Sequence, residues 1–326
     1  MEIQLTNEQK AELEKQQYRI IGNHSAVKVC RWTKNSIAGK GSCYKEKFYG
    51  IKSHQCMQMT TSMYCANRCK FCWRGQKAPV SKSWYGKIDA PEFIIEESIK
   101  NHIKLLQGFK GMGSENTNKK NLAEMKNVRH VALSLTGEPI TYPKINQLIE
   151  EFHKRKISTF VVTNGQFPDE LEKLAPVTQL YLSIDAPNKK ILKKIDNPLF
   201  DDYWERLIKS LKIFKNKKCR TAIRLTLIRN ENICEPENYA ELIKIAEPDF
   251  VEVKSYMWVG ESQKQYTIKA MPYMNEIRDF TSQLLKHLPD YEFADEHLPS
   301  RVALIMKKGA EKNIDFDNFF GSVNKN

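Results

Sequence analysis

Apolar and β-branched runs alternate with amphipathic stretches along most of this chain, and that alternation constrains the possible folds more than any other feature. The runs that predict strands lie near 56–61 and at 129–135, 158–163, 179–184, 221–228 and 249–254. The helical patterns lie between them, at 90–106, 143–156, 168–174, 201–214 and 237–246. Strands that alternate with helices form parallel sheets with right-handed crossovers. The sequence therefore predicts an α/β fold, and six such units predict a partial (βα)6 TIM-like barrel.

Polar residues follow three of the predicted strands. They are Thr136-Gly137-Glu138-Pro139 after the second strand, Thr163-Asn164-Gly165 after the third and Asp185-Ala186-Pro187 after the fourth. In parallel α/β folds the functional site gathers at the carboxyl ends of the strands. Any one of these segments is also typical of an ordinary turn. Three of them at successive strand ends predict one shared site.

The charge balance and the cysteine count limit the class of protein. The 326 residues include 52 Lys and Arg against 39 Asp and Glu, a formal net charge of +13. That excess favours an anionic partner such as nucleic acid, although a lysine-rich surface that only promotes solubility explains it equally well. No segment reaches the roughly 18 to 20 apolar residues of a membrane span, and no signal sequence is found, so we expect a cytoplasmic protein without membrane contact. In that reducing compartment the eight cysteines favour metal binding over disulfides.

Three of the cysteines have the spacing CxxxCxxC: Cys65, Cys69 and Cys72. Three thiolates on one tight loop can occupy three corners of a cubane iron–sulfur cluster and leave the fourth iron open to a small molecule. A structural zinc ion with a fourth ligand such as His54 fits the same spacing, and so do buried structural cysteines. Spacing alone leaves these alternatives open.

A second set of cysteines precedes the first: Cys30, Cys43 and Cys56. Twelve residues separate each successive pair, which puts the thiols on separate turns, and Cys56 lies nine residues before Cys65. Three ligands again favour a cluster, and segment 38–50 is too polar and glycine-rich for a core segment. Ordinary buried cysteines are the alternative. Cys219 and Cys234 lie far downstream and are expected to be structural.

The CxxxCxxC run, with Phe71 just before its last cysteine, resembles the signature of the radical S-adenosylmethionine (SAM) superfamily, and the resemblance covers roughly residues 55–255. It implies a barrel of the radical SAM type, preceded here by a cysteine-rich N-terminal extension. It also implies that the CxxxCxxC cysteines hold a [4Fe–4S] cluster whose open iron binds SAM, from which reduction generates a deoxyadenosyl radical.

Segment 136–139 is similar to the GEP motif of that superfamily. The resemblance implies that three residues contact the methionine end of SAM: Gly137, Glu138 and Pro139. From strand-end position alone, three further residues are predicted to bind its ribose or carboxylate: Asn164, Ser183 and Asp185. Arg224 and Lys254 lie on later strands, and because buried basic residues are costly unless paired, we expect one of them to face the anionic contents of the barrel.

Both cysteine sets together, with Cys43-Tyr44-Lys45 and with Trp73-Arg74 after the last cysteine, resemble the archaeal form of the tRNA 4-demethylwyosine synthases from about residue 18 to 306. The resemblance implies a carbon–carbon lyase of wybutosine biosynthesis that condenses N1-methylguanosine, next to the anticodon of tRNA(Phe), with pyruvate. It also implies a monomer and a flavodoxin- or ferredoxin-like external electron donor, because the flavodoxin-like domain of eukaryotic relatives is not found in this sequence.

The same resemblance implies that Cys30, Cys43 and Cys56 hold a second [4Fe–4S] cluster that binds pyruvate, and that Lys45 forms a Schiff base with pyruvate. A lysine is nucleophilic only when unprotonated, so its surroundings must disfavour the charged form. Lys40 and Lys47 are the local alternatives, and a solvated surface lysine is the common fate of this residue type.

Basic and aromatic residues mix in segment 73–87, which is predicted to be a mobile loop, as is segment 108–121. Unpaired bases of RNA are recognised by stacking on aromatic and arginine side chains. The candidates for contact with tRNA are therefore Trp73, Arg74, Lys77, Trp84 and Tyr85.

Three parts are expected along the chain: an extension over 1–55 with most of the second cluster site, the partial barrel over 56–290, and a C-terminal extension over 291–326 that packs on it. Two other functions remain open at this stage. One is a radical SAM enzyme that acts on a small metabolite or a peptide. The other is a zinc-stabilised RNA-binding protein without catalysis, which leaves the GEP-like segment unexplained.

Overall fold

The structure is a computed structural model that describes residues 5–111 and 117–323, apart from the side chain of Lys110. The chain forms two compact units. Within the described residues, the amino-terminal unit comprises 5–63, 83–111, 117–162 and 313–323. The carboxyl-terminal unit comprises 64–82 and 163–312.

The amino-terminal unit contains strands in the spatial order β1-β2-β3-β4-β5. They are β1 (Arg19–Ile21), β2 (Ser25–Lys28), β3 (Cys56–Thr60), β4 (His130–Leu133) and β5 (Ser158–Thr163). The first three pair antiparallel, whereas β3, β4 and β5 pair parallel, with Cys56 opposite His130 and His130 opposite Ser158.

The helices of this unit are α1 (Asn7–Lys15), α2 (Arg31–Ile37), α3 (Tyr44–Tyr49), α4 (Pro91–Leu106), α5 (Lys119–Glu124), α6 (Ile145–Lys154) and α12 (Phe316–Val323). In α6 the buried apolar residues recur at helical spacing, at Ile145, Leu148, Ile149 and Phe152, so one face of the helix is apolar. Helix α4 packs against α6 and against β2. These contacts bury the helices against the sheet.

The carboxyl-terminal unit contains strands in the spatial order β6-β7-β8-β10-β9. They are β6 (Gln179–Ser183), β7 (Arg220–Leu227), β8 (Phe250–Ser255), β9 (Tyr291–His297) and β10 (Val302–Lys307). Strands β6, β7 and β8 pair parallel, and β10 then pairs antiparallel with both β8 and β9. The carboxyl ends of β6, β7 and β8 therefore meet at one edge, where β10 begins.

The helices of this unit are α7 (Pro168–Lys173), α8 (Lys189–Asp196), α9 (Tyr203–Lys215), α10 (Pro236–Ala246) and α11 (Met274–Leu285). Helix α8 begins after Asn188, whose side chain accepts a hydrogen bond from the Ile191 N–H, and ends at Asn197 in the left-handed conformation. Helix α10 begins with Pro236, which has no N–H to satisfy at that position.

The six predicted strands are confirmed as β3 to β8, and the parallel pairing is confirmed within each unit. The five predicted helices are confirmed as α4, α6, α7, α9 and α10. None of the six predicted strand runs corresponds to the remaining strands, β1, β2, β9 and β10. Strand β9 (YEFADEH) carries charged residues and has a single buried residue, Tyr291, so it lacks the apolar run that marks a buried strand.

Two other expectations concern loops and domain limits. Residues 112–116 of the predicted 108–121 loop lie outside the described residues. A 3₁₀ turn at Gln107–Gly111 precedes them, and helix α5 follows them. The division at 55 and 290 stays a prediction. Among the helices of the described ranges, none has the length and apolarity needed to cross a membrane.

Candidate functional site

The second set of cysteines lies at the starts of three elements of the amino-terminal unit. Cys30 immediately precedes α2, Cys43 immediately precedes α3, and Cys56 is the first residue of β3. The Thr33 hydroxyl donates to the Cys56 carbonyl at 3.2 Å, and the Cys43 N–H donates to the Ser53 hydroxyl at 2.9 Å. These bonds connect α2 and α3 to the segment that enters β3.

Cys56 interacts electrostatically with both of the other cysteines and with Lys45. Burial raises the pKa of Cys56 to about 12; the nearby charge of Lys45 lowers it, and the neighbouring Cys30 and Cys43 raise it. Burial also raises the pKa of Cys30, against hydrogen bonds from the backbone of α2 and the charge of Lys45. Binding of a metal or a cluster would remove these protons, since only thiolates are ligands.

Lys45 is a buried lysine at the start of α3, with 8% of its surface exposed. Its Nζ lies 5.0 Å from the centre of the Phe160 ring on β5. The local alternatives, Lys40 and Lys47, are both exposed. Because lysines are rarely buried, burial distinguishes Lys45 from its two neighbours.

The GEP-like segment follows β4 and is fixed by two hydroxyl groups. The Thr60 Oγ1 donates to the Thr136 carbonyl at 2.6 Å, and the Thr61 Oγ1 donates to the Pro139 carbonyl at 2.8 Å. Gly137 has φ +67°, a conformation that favours glycine, and Glu138 is buried. The turn is therefore held rigidly at the carboxyl ends of β3 and β4.

The CxxxCxxC loop belongs to the carboxyl-terminal unit, where the end of α8 holds it. The N–H groups of Arg68 and Lys70 donate to the carbonyls of Asp196 and Ile195 at 3.0 and 2.8 Å. Within the loop, the Cys72 N–H donates to the Cys69 carbonyl at 3.0 Å. Residues between and around the three cysteines are thus fixed by backbone bonds.

Cys65 receives two N–H donors at its sulfur. The Asn67 backbone N–H lies 3.4 Å and the Asn164 Nδ2 lies 3.2 Å from Cys65 Sγ. The Asn164 Oδ1 accepts the Gln166 N–H at 2.9 Å, and this bond sets the orientation of the amide. Such donors favour a thiolate at this position.

Two buried carboxyl groups lie near Cys69. Burial raises the pKa of Asp185 to about 6, although the Thr226 N–H donates to its Oδ1 at 3.2 Å. Burial and the proximity of Asp185 raise the pKa of Asp196, which also hydrogen-bonds Cys69. Burial, together with both carboxyl groups, raises the pKa of the Cys69 thiol.

Arg74 lies against the same loop. Burial alone would lower its pKa, but the nearby Cys72 and Cys65 raise it overall, and its side chain hydrogen-bonds Cys72. Its guanidinium also donates to the Pro79 carbonyl at 3.2 Å. The structure therefore places a permanent positive charge beside the cysteines, where a negatively charged cluster would be stabilised by it.

Three further predicted residues lie on strands of the carboxyl-terminal unit. Ser183 on β6 is opposite Arg224 on β7. The Arg224 Nε lies 3.2 Å from a carboxylate oxygen of the fully buried Glu252, so the charge of this arginine is paired. The Lys254 Nζ donates to the Ser300 carbonyl at 3.0 Å. The predicted contact of either cation with the barrel contents stays a prediction.

The predicted tRNA contacts differ in exposure. Trp84 stacks on Tyr85 with ring centres 4.8 Å apart, and Tyr85 is buried and accepts the Met63 N–H. Trp73 is half-buried, whereas Lys77 is exposed. Their role in binding RNA stays a prediction.

Among the described residues, neither cysteine set forms the compact site of a single metal ion. In residues 5–111 and 117–323, no three His, Cys, Asp or Glu side chains lie together in a geometry for a single metal ion. The thiolates of a cubane cluster bind different irons at separate corners. The donor chemistry and the surroundings of both sets fit such a cluster.

Sequence and structure comparisons identify the family. The radical SAM superfamily matches residues 59–243, and the family described as wyosine base formation matches residues 245–307. The solved structure described as TYW1 with a lysine–pyruvate adduct bound is similar with a TM-score of 0.84 and 36% identity, over 96% of this chain and 99% of that one. The chain belongs to the tRNA 4-demethylwyosine synthase family.

Other members of the family extend this result. Crystalline archaeal TYW1 is similar with a TM-score of 0.77 and 33% identity, over 95% of this chain and 100% of that one. The synthases of Mus musculus and Oryza sativa subsp. japonica are 48% and 47% identical over 91% and 95% of this chain. The chain spans 41% and 48% of their lengths. The predicted fold class, a partial barrel of the radical SAM type, is confirmed, and that superfamily binds SAM and a [4Fe–4S] cluster.

Several residues at the site were not predicted from the sequence. Asp196 reaches Cys69 from the end of α8, and Glu252 pairs with Arg224 from the next strand. Neither residue belongs to a motif. Their roles depend on which strands and helices are neighbours, and no local pattern records that.

Proposed function

We propose that this protein is a tRNA 4-demethylwyosine synthase that condenses N1-methylguanosine beside the anticodon of tRNA(Phe) with pyruvate. The observation that carries the proposal is the burial of Lys45 in the environment of Cys30, Cys43 and Cys56. A related protein that is 36% identical was solved with a lysine–pyruvate adduct, which supports the same role for a lysine here.

In this proposal two [4Fe–4S] clusters are present. Cys65, Cys69 and Cys72 would hold the first, and Cys30, Cys43 and Cys56 would hold the second. When bound and reduced, the first cluster supplies the electron that cleaves SAM. Because that step consumes an electron, we include a flavodoxin- or ferredoxin-like protein as the donor.

The residues around the two cysteine sets would bind and orient SAM and pyruvate. Gly137, Glu138 and Pro139 would hold the methionine end of SAM on the rigid turn after β4, with Ser183 and Asp185 as further contacts. The unprotonated amine of Lys45 would condense with the ketone of pyruvate, with release of water, and the resulting Schiff base would keep pyruvate in place. Packing of Lys45 over Phe160 restricts the access of water to that amine.

The substrate side of the proposal rests on charge. A net charge of +13 suits a folded tRNA, whose phosphates release counterions on contact with lysine and arginine. Exposed Lys77 is a candidate for such a contact, with the half-buried Trp73 and Trp84 as candidate stacking residues. Arg74 hydrogen-bonds Cys72 and Tyr85 is buried, so these two predicted contacts offer less surface to RNA. We place the protein in the cytoplasm with its tRNA, as a monomer.

Reductive trapping tests the proposal directly. Anaerobically reconstituted protein is incubated with pyruvate and sodium cyanoborohydride, and the modified peptide is located by mass spectrometry. We expect modification at Lys45, its loss in Lys45→Arg, and its retention in the matched control Lys47→Arg. In parallel, tRNA carrying N1-methylguanosine, SAM, pyruvate and a reductant should yield the tricyclic base only when Lys45 is present.

Two results would contradict the proposal. Trapping at Lys40 or Lys47 instead of Lys45 would reassign the nucleophile. Turnover of pyruvate and SAM that does not depend on RNA would favour a synthase of a small metabolite.

A further inference from the structure

One exposed aromatic side chain of the carboxyl-terminal unit contacts two arginines. Tyr273 has 60% of its surface exposed. The guanidinium carbons of Arg229 and Arg301 lie 5.0 and 5.1 Å from the centre of its ring. Large aromatic residues are usually buried, so an exposed ring that is held in place is a candidate for contact with a partner.

The arginines are themselves fixed. Arg229 forms an ion pair with Glu276 and donates to the Lys269 carbonyl at 2.6 Å. Arg301 donates to the Pro272 carbonyl at 2.8 Å. Both arginines are thus ordered before any partner binds, which lowers the entropic cost of binding.

This cluster lies at the edge where the carboxyl ends of β6, β7 and β8 meet. Arg229 follows the end of β7 by two residues, and Arg301 immediately precedes β10, whose first residue pairs with Lys254 of β8. The Ser255 hydroxyl at the end of β8 donates to the Pro272 carbonyl, next to Tyr273. Asp185, which lies near Cys69, follows β6 at the same edge. In α/β barrels this is the edge where substrates bind.

We propose that Tyr273, which contacts Arg229 and Arg301 and keeps most of its surface exposed, is a stacking site for one unpaired base of the RNA substrate. The inference rests on the proposed function and adds the place where the RNA is held. An exposed aromatic face accepts any base, and the Arg301 guanidinium suits the adjoining phosphate, whereas the charge of Arg229 is already paired with Glu276. Ile268 and Leu298, in the segments that precede Tyr273 and Arg301, also have exposed apolar side chains.

The test uses a synthetic anticodon stem–loop with N1-methylguanosine 3′ of the anticodon, titrated by fluorescence anisotropy against the anaerobically reconstituted holoenzyme. We expect Tyr273→Ala to weaken binding by about fivefold to a hundredfold, the range that stacking of one base supplies. Tyr273→Phe keeps the ring and should bind within about twofold of the wild type. Iron content should be equal in all variants, since Tyr273 touches no cysteine.

Phe293→Ala is the matched control. Phe293 is also an exposed aromatic residue, 49% exposed, but it pairs with Ile305 toward the other end of β10. Its removal should leave RNA affinity unchanged. Arg301→Gln should weaken binding and reduce the slope of log affinity against log salt by about one, as for one lost phosphate contact.

Unchanged RNA affinity of Tyr273→Ala would overturn the inference. The inference would also be overturned if Tyr273→Ala kept its RNA affinity but was reduced more slowly by flavodoxin, because this surface would then bind the protein electron donor. If the wild type forms the tricyclic base and Tyr273→Ala binds normally, only the stacking site fails. If the wild type forms no such base but Tyr273→Ala loses RNA affinity, the proposed reaction fails and the RNA site stands.

Discussion

At the scale of single residues, the orientation of the Asn164 amide is fixed by a hydrogen bond to a residue outside the site. Its oxygen accepts a backbone N–H from Gln166, so its nitrogen must face Cys65. Hydrogen bonds to the sulfurs are one of the factors that set the reduction potential of an iron–sulfur cluster, because they stabilise the added electron. The predicted contact between Asn164 and SAM is a separate matter that a binding assay can address.

We predict that Asn164→Asp makes the midpoint potential of the first cluster more negative. The aspartate still accepts the Gln166 N–H but replaces the donor with a negatively charged oxygen. Each tenfold loss in the equilibrium constant for one-electron reduction corresponds to about 59 mV. A redox titration monitored by electron paramagnetic resonance measures this. Asn216→Asp, at the exposed end of α9, is the control, and equal potentials in both variants would contradict the prediction.

His102 in α4 is a second residue whose environment has a measurable effect. It is fully buried, and neither of its ring nitrogens has a hydrogen-bond partner among the described residues. Burial lowers its pKa to about 4. In the unfolded chain this histidine binds a proton below about pH 6.5, whereas in the folded protein it stays neutral until about pH 4. The free energy of unfolding therefore decreases as the pH falls from 6.5 toward 4.

We predict that His102→Leu removes the contribution of His102 to the loss of stability in acid. Between pH 6.5 and 5 the wild type should lose on the order of 2 kcal/mol of unfolding free energy that the variant keeps. The measurement is anaerobic denaturant unfolding at both pH values. His287→Leu, which changes an exposed histidine, should behave as the wild type does. An equal pH dependence of His102→Leu and wild type would refute the argument.

At the scale of elements, the CxxxCxxC loop is held by two segments of the carboxyl-terminal unit. The end of α8 accepts its N–H groups, and the Trp73 carbonyl accepts the N–H of Glu261, which follows β8. Gly260 makes this approach possible. It has φ +60°, and a Cβ there would lie 2.5 Å from the Trp73 oxygen.

We predict that Gly260→Ala loosens the loop after Cys72 and lowers iron retention. The added methyl group must displace a backbone atom, a change that costs about 1 to 3 kcal/mol in addition to the strained φ. Gly309→Ala is the matched control, because Gly309 also has a positive φ, +84°, but open space around its Cα. Thermal unfolding and iron content of the two variants should differ. Equal loss in both would assign the effect to φ alone.

At the scale of the whole molecule, the question is how many clusters the chain carries. The two cysteine sets are each brought together by their own unit, one by the starts of α2, α3 and β3, the other by a single loop. Each set can therefore be removed without touching the ligands of the other.

We predict that the anaerobically purified protein holds about eight irons and that the triple variant Cys30→Ala, Cys43→Ala, Cys56→Ala holds about four. Iron and acid-labile sulfide per chain are the quantities to measure. The variant should still bind SAM, since the first set of cysteines is intact. About four irons in both proteins would leave the second set without a cluster and would remove the proposed site for pyruvate.

The sequence alone determined the elements whose pattern is local. The parallel strands β3 to β8 follow from apolar runs, and the CxxxCxxC set and the GEP-like turn follow from short motifs. The second cysteine set follows from two equal separations of twelve residues. Only the tertiary structure decided which side chains meet. Asn164 reaches Cys65 across 99 residues, Glu252 pairs with Arg224 across a strand pair, and Arg229 and Arg301 both contact Tyr273. These contacts depend on strand order and register, which long-range packing fixes and no local periodicity records.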